Sequence, residues 1–324
     1  MNAMKKLFAR TAALLCAAIA CTAGAQDFPT KPLRMVVPFA PGGGADFVAR
    51  AIAAPLAKRL GQPVVVDNKP GAGAVLGADI VAKAPADGHT LLYTTPGPQM
   101  TSPYLMARLP YDPVHDLVPV SEVAIVPNVL VVNKNLPVHS IEELIAYAKA
   151  NPGKVNFASA GQGASSHLAG ELFKQAAGVS IMHIPYRGTG PALADLLSGQ
   201  VQMAIDSIAA YKPHIDSGAL RPLGVATARP SPLLPGVPPI AQTLKGFDAA
   251  PVNYISVPKN TPRPVIDKLN REINAVLASP ELKEQFAANG VVPQGSTPEQ
   301  MAALVRSEAA KWKKVIETSG ARID

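Results

Sequence analysis

The chain has 324 residues and carries 30 basic against 23 acidic residues, which gives a formal net charge of +7. Its two cysteines, Cys16 and Cys21, both lie near the N-terminus, so the sequence excludes a disulfide framework or a thiolate zinc site for the rest of the chain. No stretch interleaves basic residues with stacking aromatics, and we therefore expect no nucleic-acid partner.

The first 25 residues are typical of a secretory signal peptide. Three basic residues precede a short apolar run from 11 to 21, and a small-residue cleavage pattern ends at Ala25. The apolar run covers about half of the ~20 residues that a membrane-spanning helix needs. We expect a periplasmic protein that begins near Gln26, with its formal net charge lowered from +7 to +4 because three basic residues are removed. The alternative is a lipoprotein in which Cys21 is lipidated.

Beyond this segment, short β-rich runs alternate with helical patterns, which is typical of an α/β protein. The predicted strands are 33–39, 64–66, 90–94, 128–132, 155–159, 181–184, 201–205, 223–227 and 254–257. The predicted helices are 45–60, 75–84, 141–150, 166–177, 191–197 and 264–277, followed by one that opens at Ser279-Pro280 and one that opens at Thr297.

The strand–helix order starts afresh at Val155, and this second set is interpreted as a smaller α/β lobe inserted into the first. We predict a signal peptide over 1–25, a first lobe over 26–130 and 253–324, and a second lobe over 131–252. Each lobe is expected to be a mixed sheet flanked by helices. Five prolines between 229 and 239 predict an irregular surface segment, which we expect to cross between the lobes.

Two predicted strands, one in each lobe, end in similar glycine-rich loops that lead into helices. The loops are Ala40-Pro41-Gly42-Gly43-Gly44-Ala45-Asp46 and Ala160-Gly161-Gln162-Gly163-Ala164-Ser165-Ser166-His167. Glycine lets the backbone approach a ligand, and a helix N-terminus presents unpaired N–H groups and a positive dipole end. Such loops bind anions without needing arginine. One loop in each lobe predicts a cleft that holds a carboxylate-bearing solute.

Three further residues follow predicted strands on the ligand-facing side of the second lobe. His167 either contacts the ligand or its loop, or is a structural histidine whose hydrogen bonds are satisfied. Arg187 either pairs with a carboxylate or is a solvated surface residue. Asp206 either accepts a hydrogen bond from the ligand or caps the following helix. By contrast, Trp312 lies at helical spacing and predicts packing.

Other kinds of site are less well supported by the residues. A serine hydrolase using Ser165, His167 and Asp206 is the enzymatic alternative, although Gly163 to His167 departs from a nucleophile elbow at its last position. Gly161 and Gly163 match the first two glycines of a dinucleotide-binding fingerprint, but Ser166 stands at the position of the third. The six histidines never occur at metal-binding spacing. We therefore expect no cofactor, no metal and no catalysis.

Five stretches, 38–46, 84–92, 111–120, 159–167 and 199–206, resemble the Bug-type solute receptors of tripartite tricarboxylate transporters, and the resemblance covers nearly the whole mature chain. It implies a type II periplasmic-binding fold that closes like a hinge on a carboxylate, with no catalysis. The predicted ligand-binding residues are Phe39, Ala40, Pro41, Gly42, Gly43, Gly44, Asp46, Thr95, Pro96, Ser159, Gly163, Ala164, Ser165, Ser166, His167, Arg187 and Asp206.

The resemblance also implies the partners. We expect a monomer that binds a small organic carboxylate and presents it to integral-membrane permease subunits. A receptor that serves a membrane sensor is the alternative. Backbone N–H groups recognise a carboxylate and little else, so the sequence does not identify the acid.

Overall fold

The computed structural model describes residues 28–39, 41–42, 44–186 and 188–323 of the protein. The predicted signal peptide lies outside the described residues, as do the predicted site residues Ala40, Gly43 and Arg187. Within these ranges the strands form two mixed sheets that are flanked by helices, which confirms the predicted two-lobed α/β fold. None of the helices in the described part combines the length and the apolar character that crossing a membrane requires.

The elements are numbered in chain order. The strands are β1 (Leu33–Val37), β2 (Val64–Asn68), β3 (Thr90–Thr94), β4 (Leu117–Ile125), β5 (Asn128–Asn133), β6 (Asn156–Ser159), β7 (Met182–Pro185), β8 (Met203–Ser207), β9 (Leu220–Val225), β10 (Val252–Pro258) and β11 (Val292–Pro293). The helices are α1 (Gly44–Leu60), α2 (Val75–Ala82), α3 (Ser102–Leu105), α4 (Ile141–Ala150), α5 (Ser165–Ala177), α6 (Thr189–Ser198), α7 (Ile208–Asp216), α8 (Arg263–Leu277), α9 (Pro280–Ala288) and α10 (Pro298–Ser319).

The first sheet has the strand order β11-β4-β10-β3-β1-β2. Strand β1 pairs in parallel with β2 and β3, whereas β10 runs antiparallel to both β3 and β4. Helix α1 packs on this sheet through Val48, Ile52 and Leu56, which are fully buried. Their four-residue spacing places them on one helical face. Because β1 and β3 are parallel, both strands end at the same edge of the sheet, where open α/β sheets bind ligands.

The second sheet has the strand order β7-β6-β8-β5-β9. Strand β6 pairs in parallel with β7 and β8, and β5 runs antiparallel to β8 and β9. Helix α5 covers one face of this sheet and buries Leu168 and Phe173. The three parallel strands place their carboxyl ends, and the loops that follow, at one edge.

Two short segments join the sheets. The chain passes from β4 to β5 through Val126 and Pro127 and returns to β10 through 249–251. The two segments touch, because the Val126 N–H donates to the Pro251 carbonyl at 3.2 Å. The proline-rich segment 229–239 is irregular, as predicted, but it does not cross between the sheets. It packs against the second sheet, where Leu234 is buried and the Val225 N–H donates to the Pro238 carbonyl.

The last helix, α10, is shared by both halves of the molecule. It opens with the predicted capping box, in which Thr297 and Gln300 exchange hydrogen bonds with each other's backbone. Its buried residues Val305 and Trp312 belong to a core that includes Tyr254 from the first sheet and Phe157 from the second. The helix therefore packs between the sheets and carries the C-terminal residues to the edge where the loops meet.

Candidate functional site: a cavity between the two sheets

A cavity of about 310 Å³ lies between the two sheets, at the edge where the parallel strands end. The first half contributes Phe39, Gly73, Thr95, Pro96, Gly97, Thr101, Ser102 and Leu105. The second half contributes the whole loop from 160 to 165 together with Leu168. The connecting segment 249–251 and two residues from the C-terminal part, Trp312 and Ile323, complete the wall. The cavity is therefore a cleft between lobes.

The loop between β6 and α5 is held in place by side chains that lie beneath it. The Ala160 N–H donates to Ser166 Oγ at 2.9 Å, and the Gly163 N–H donates to His167 Nδ1 at 3.1 Å. The Gly161 N–H donates to Ser159 Oγ at 3.2 Å. These hydrogen bonds fix the loop backbone through three side chains, Ser159, Ser166 and His167, that lie outside the cavity lining.

The first turn of α5 is uncapped and borders the cavity. Ala164 occupies the N-cap position and has no side-chain oxygen to accept a hydrogen bond. The first hydrogen bond of the helix runs from the Leu168 N–H to the Ala164 carbonyl, so Ser165, Ser166 and His167 carry N–H groups without a partner in the helix. Ala164 and Ser165 line the cavity. Unpaired donors and the positive dipole end therefore meet an open space, the arrangement that binds anions.

The first glycine-rich loop differs from the second, because its helix already holds a carboxylate. Asp46, buried in the first turn of α1, accepts hydrogen bonds from the Gly42 N–H at 2.9 Å, from Arg50 and from Asn68. The hydrogen bond from Arg50, assisted by those from Gly42 and Asn68, lowers the pKa of Asp46 to about 2. None of the described residues in this loop lines the cavity, but Phe39, which precedes the loop, does. Asp46 therefore stabilises the loop.

The remaining first-lobe wall is formed by the segment after β3. A single π-helical turn over Gly97–Thr101 begins directly after Pro96, which accepts hydrogen bonds from the Met100 and Thr101 N–H groups. Such turns are rare and occur often at functional sites. The turn brings Thr95, Pro96 and Gly97 to the cavity.

Two stacked histidines lie beneath the second loop. The rings of His167 and His183 are 3.9 Å apart at 15°, and Phe157 stacks on the other side of His183 at 4.9 Å. Burial, together with the nearby Lys174 charge, lowers the pKa of His167 to about 4. Burial, His167 and Lys174 lower the pKa of His183 to about 3. Both rings are therefore neutral at pH 7, and Nδ1 of His167 is free to accept the Gly163 N–H.

This histidine pair predicts a loss of stability in mild acid. Each pKa is lower in the folded state than its ordinary value of 6.5, so the unfolded chain takes up protons first as the pH falls below 6.5. We expect the pair to contribute a loss of about 2–3 kcal/mol in the free energy of unfolding between pH 7 and pH 5. The measurement is urea unfolding at both pH values, for the wild type and for the double variant His167→Asn, His183→Gln.

The double variant is a matched control, because the Asn oxygen lies near the position of Nδ1 and the Gln oxygen near that of Nε2. Carboxylates lose their native interactions to the same extent in both proteins, so the difference between the two pH dependences belongs to the histidines. Equal pH dependences would contradict the assignment of both rings as neutral, buried groups.

Asp206, the penultimate residue of β8, connects two helix N-termini in the second lobe. Its Oδ1 accepts the Ser207 N–H at 2.8 Å, and its Oδ2 accepts Thr189 Oγ1 at 3.0 Å. Burial raises the pKa of this carboxyl group, and the two hydrogen bonds partly offset that rise. Thr189 begins α6 and Ser207 precedes α7, so Asp206 holds the starts of both helices in place. It does not cap α7, because the N–H that it accepts belongs to Ser207, the N-cap residue, and not to the first helical turn.

The serine, histidine and aspartate of the hydrolase alternative do not form a relay. His167 Nδ1 accepts the Gly163 N–H, and both oxygens of Asp206 are occupied by Thr189 and Ser207. Among the hydrogen bonds of the described residues, none joins Ser165 to His167 or His167 to Asp206. The described residues also contain no group of three metal-ligating side chains.

The predicted site residues that the structure describes thus divide into two groups. Phe39, Thr95, Pro96, Gly163, Ala164 and Ser165 line the cavity together. Those that lie outside its lining are Pro41, Gly42, Gly44, Asp46, Ser159, Ser166, His167 and Asp206. Of these, Asp46, Ser159, Ser166 and His167 hold the two loops through hydrogen bonds.

Sequence reasoning missed the apolar part of the lining. Four apolar residues line the same cavity, namely Leu105, Leu168, Trp312 and Ile323. The first and the last of them are 218 positions apart in the chain. Leu168 had a local signal, since it lies one turn after Ala164 on the same helical face. Trp312 packs in the core, as predicted, and also reaches the cavity.

Comparison with known proteins places the cavity in a family context. A family model described as "Tripartite tricarboxylate transporter family receptor" matches residues 48–321. Protein BugT of Bordetella pertussis is 43% identical over 309 residues, which make up 95% of this chain and 95% of that protein.

Solved structures of similar sequence share this fold. R. palustris Rpa4515 with adipate has a TM-score of 0.81 and 39% identity, covering 91% of this chain and 100% of the other. MatC from Rhodopseudomonas palustris with bound malate has a TM-score of 0.75 and 33% identity, covering 89% of this chain and 100% of the other.

Proposed function

Because this chain belongs to the tripartite tricarboxylate transporter receptor family, as its sequence motifs predicted, we propose that it captures a small organic carboxylate between its two lobes and delivers it to a membrane permease. The chain is a solute-binding receptor. Relatives of known structure hold adipate and malate, both of which are carboxylates. The carboxylate is therefore the part of the ligand that this site is proposed to recognise.

The observation that carries the proposal is the uncapped N-terminus of α5 at the cavity. Ala164 provides no cap, and Ser165 exposes the first turn to the space between the lobes. A helix terminus contributes roughly 0.3–2 kcal/mol to binding an anion, and each hydrogen bond to a charged group about 1.5–3 kcal/mol. Four or five such contacts reach the ~8 kcal/mol of micromolar affinity after ordering costs.

We assign different roles to the two lobes. The loop from 160 to 165 holds the carboxylate, and the backbone of the first loop, from Phe39 to Gly44, with Thr95 and Pro96, approaches it from the opposite side. Arg187 is proposed to lie towards the far end of the ligand, whereas Asp206, whose two oxygens already accept hydrogen bonds, is proposed to support the neighbouring helices. Asp46, Ser166 and His167 support the loops that carry out the binding.

We further propose that the lobes close around the ligand by bending at the two joining segments. Val126–Pro127 and residues 249–251 are short, adjacent and hydrogen-bonded, and the second of them lines the cavity. The division into a first lobe of 26–130 and 253–324 and a second of 131–252 remains part of this proposal. Closure would bring the π-helical turn towards the first turn of α5 and exclude water from the carboxylate.

The setting of this receptor is also proposed. It works in the periplasm after cleavage near Ala25–Gln26, as a monomer without catalytic activity, and the permease subunits recognise its closed form. The occupied Nδ1 of His167 supports the absence of serine-hydrolase chemistry. A receptor that signals to a membrane sensor is the alternative partner assignment.

The first test is a thermal-shift screen of the mature chain, unfolded in urea and refolded so that ligand acquired during expression is removed. We expect a saturable rise in melting temperature with one or a few carboxylates, corresponding to about 2.7 kcal/mol when the ligand is present at 100 times its Kd. The amide of the same acid is the matched control and should give no shift. A shift with sugars or nucleotides but with no carboxylate would contradict the proposed function.

A further inference from the structure

One wall of the cavity is apolar, although binding a carboxylate alone does not require an apolar surface. Leu105 from the first lobe, Leu168 from the second, Trp312 from α10 and Ile323 from the C-terminal part line it together. The first three are at most 6% exposed, so they are firmly packed and only their cavity-facing surfaces are available. A shared apolar surface assembled from four separate elements indicates that part of the ligand is apolar.

The charge of the lining supports the same conclusion. None of the described residues that line the cavity has an ionisable side chain, and its polar side chains, Thr95, Thr101, Ser102, Gln162 and Ser165, are uncharged. The uncapped turn of α5 adds unpaired N–H donors and a positive dipole end to this lining. A second carboxylate that packed against Leu105, Trp312 and Ile323 would lose its hydration without a paired cation among the described lining residues, which is costly. The described lining therefore fits one carboxylate and opposes a second.

We infer that the ligand is a monocarboxylate with a compact apolar body, such as a ring or a short hydrocarbon chain, that packs against Trp312, Leu105, Leu168 and Ile323. The inference rests on the proposed function and specifies its substrate class. It separates this receptor from its relatives solved with adipate and malate, which are dicarboxylates.

The distances within the site place the acid group directly beside the apolar body. Leu168 lies one turn after Ala164, so its side chain shares a helical face with the residue that precedes the unpaired N–H groups. A Cβ atom at Gly163 would be within 3.2 Å of both Ile323 and Leu105, which shows how closely the carboxylate loop meets the apolar wall. The cavity volume of about 310 Å³ suits a small ligand of this shape.

The test compares pairs of acids that differ by one carboxylate, using isothermal titration calorimetry with refolded mature protein. Hexanoate is compared with adipate, and benzoate with terephthalate. We expect the monocarboxylate of at least one pair to bind at least tenfold more tightly than its dicarboxylate partner.

Ile323→Arg tests the wall itself. Its backbone N–H donates to the Leu105 carbonyl at 2.8 Å, a bond that does not depend on the side chain, so the segment should keep its place. The variant should weaken monocarboxylate binding at least tenfold and narrow or reverse the preference over the dicarboxylate. Thr318→Arg, which adds the same charge at an exposed position of α10, is the matched control and should change neither affinity.

The possible outcomes distinguish a wrong ligand class from a wrong receptor function. Dicarboxylates that bind as tightly as, or more tightly than, their monocarboxylate partners overturn the inference while the receptor function stands. If Arg187→Gln then abolishes that binding, Arg187 is the cation that accepts the second acid group. A protein that binds no acid of either series, or of a wider carboxylate panel, overturns the proposed function and the inference with it.

Discussion

The variant Ser165→Asp is expected to lose at least 100-fold in carboxylate affinity while its fold becomes more stable. Ser165 is the first residue of α5, is exposed and lines the cavity. A negative side chain there lies about one contact distance from the bound acid. Two unit charges at 4 Å repel by about 4 kcal/mol when the effective dielectric constant is 20, and this corresponds to a loss of well over 100-fold.

The same substitution should strengthen the helix. An acidic residue in the first turn interacts favourably with the helix dipole and the unpaired N–H groups, which contributes about 0.3–1 kcal/mol in the free protein. Urea unfolding without ligand should therefore show an equal or higher free energy of unfolding for Ser165→Asp. Opposite changes in stability and affinity distinguish loss of an anion site from general damage to the fold.

Ser165→Asn is the control for size, because asparagine has nearly the shape of aspartate without its charge. Its carboxylate affinity should lie much nearer to that of the wild type than to that of Ser165→Asp. Calorimetric titration of the three proteins with one acid from the screen measures the difference. If Asp and Asn at this position weaken binding equally, the carboxylate does not lie at the N-terminus of α5.

The loops of this site were accessible to sequence reasoning because each depends on a local pattern. A buried strand, a glycine-rich turn and an amphipathic helix follow one another within about 20 residues, and they predict a strand end that faces a ligand. The strand predicted at 90–94 agrees with β3, and helix 264–277 agrees with α8 to within one residue. The capping residues Ser140, Ser279 and Thr297 were also correct, since each accepts a backbone N–H at a helix start.

Strand β4 shows why part of the fold was not predicted. It lies in the interior of the first sheet but contains Pro119, Ser121 and Glu122, residues that argue against a central strand. Register shifts against β10 accommodate the irregular strand. The polar groups find partners far away in the chain, since Ser121 Oγ donates to the Ser296 carbonyl and the Glu122 N–H donates to Ser296 Oγ. No local pattern indicates such a pairing.

Helix α7 was missed for a related reason. Its nine residues include Pro213, which removes one backbone donor and argues against a helix interior. The buried residues Ile208 and Tyr211 hold it against the second sheet. Packing therefore overrides the local preference, and the apolar wall of the cavity is likewise a product of tertiary packing that links Leu105 to Ile323.

The variant Gly163→Ala is expected to lower ligand affinity by about 10–100-fold, because Gly163 connects the anion-binding loop with the apolar wall. Its φ is +74°, and an added Cβ would lie 2.3 Å from Ile323 Cδ1 and 3.2 Å from Leu105 Cδ1. The backbone conformation alone costs about 1–2 kcal/mol for a residue with a side chain. The contacts must in addition push Ile323 and Leu105 from their positions, and both of these side chains line the cavity.

Gly178→Ala, at the opposite end of α5, separates the cost of the backbone conformation from the effect of the contacts. Gly178 ends α5 with a φ of +60°, and a Cβ there would meet no atom within 4 Å. Gly178→Ala should lose about 1–2 kcal/mol in urea unfolding, and Gly163→Ala at least as much, but only Gly163→Ala should bind the acid more weakly. The double variant Gly163→Ala, Ile323→Ala should recover part of the affinity, since the smaller side chain leaves space for the new methyl group. If Gly163→Ala and Gly178→Ala bind the acid equally tightly, the contact between the loop and the apolar wall does not matter for binding. The cavity would then not be the place where the acid group and the apolar body of the ligand are recognised together.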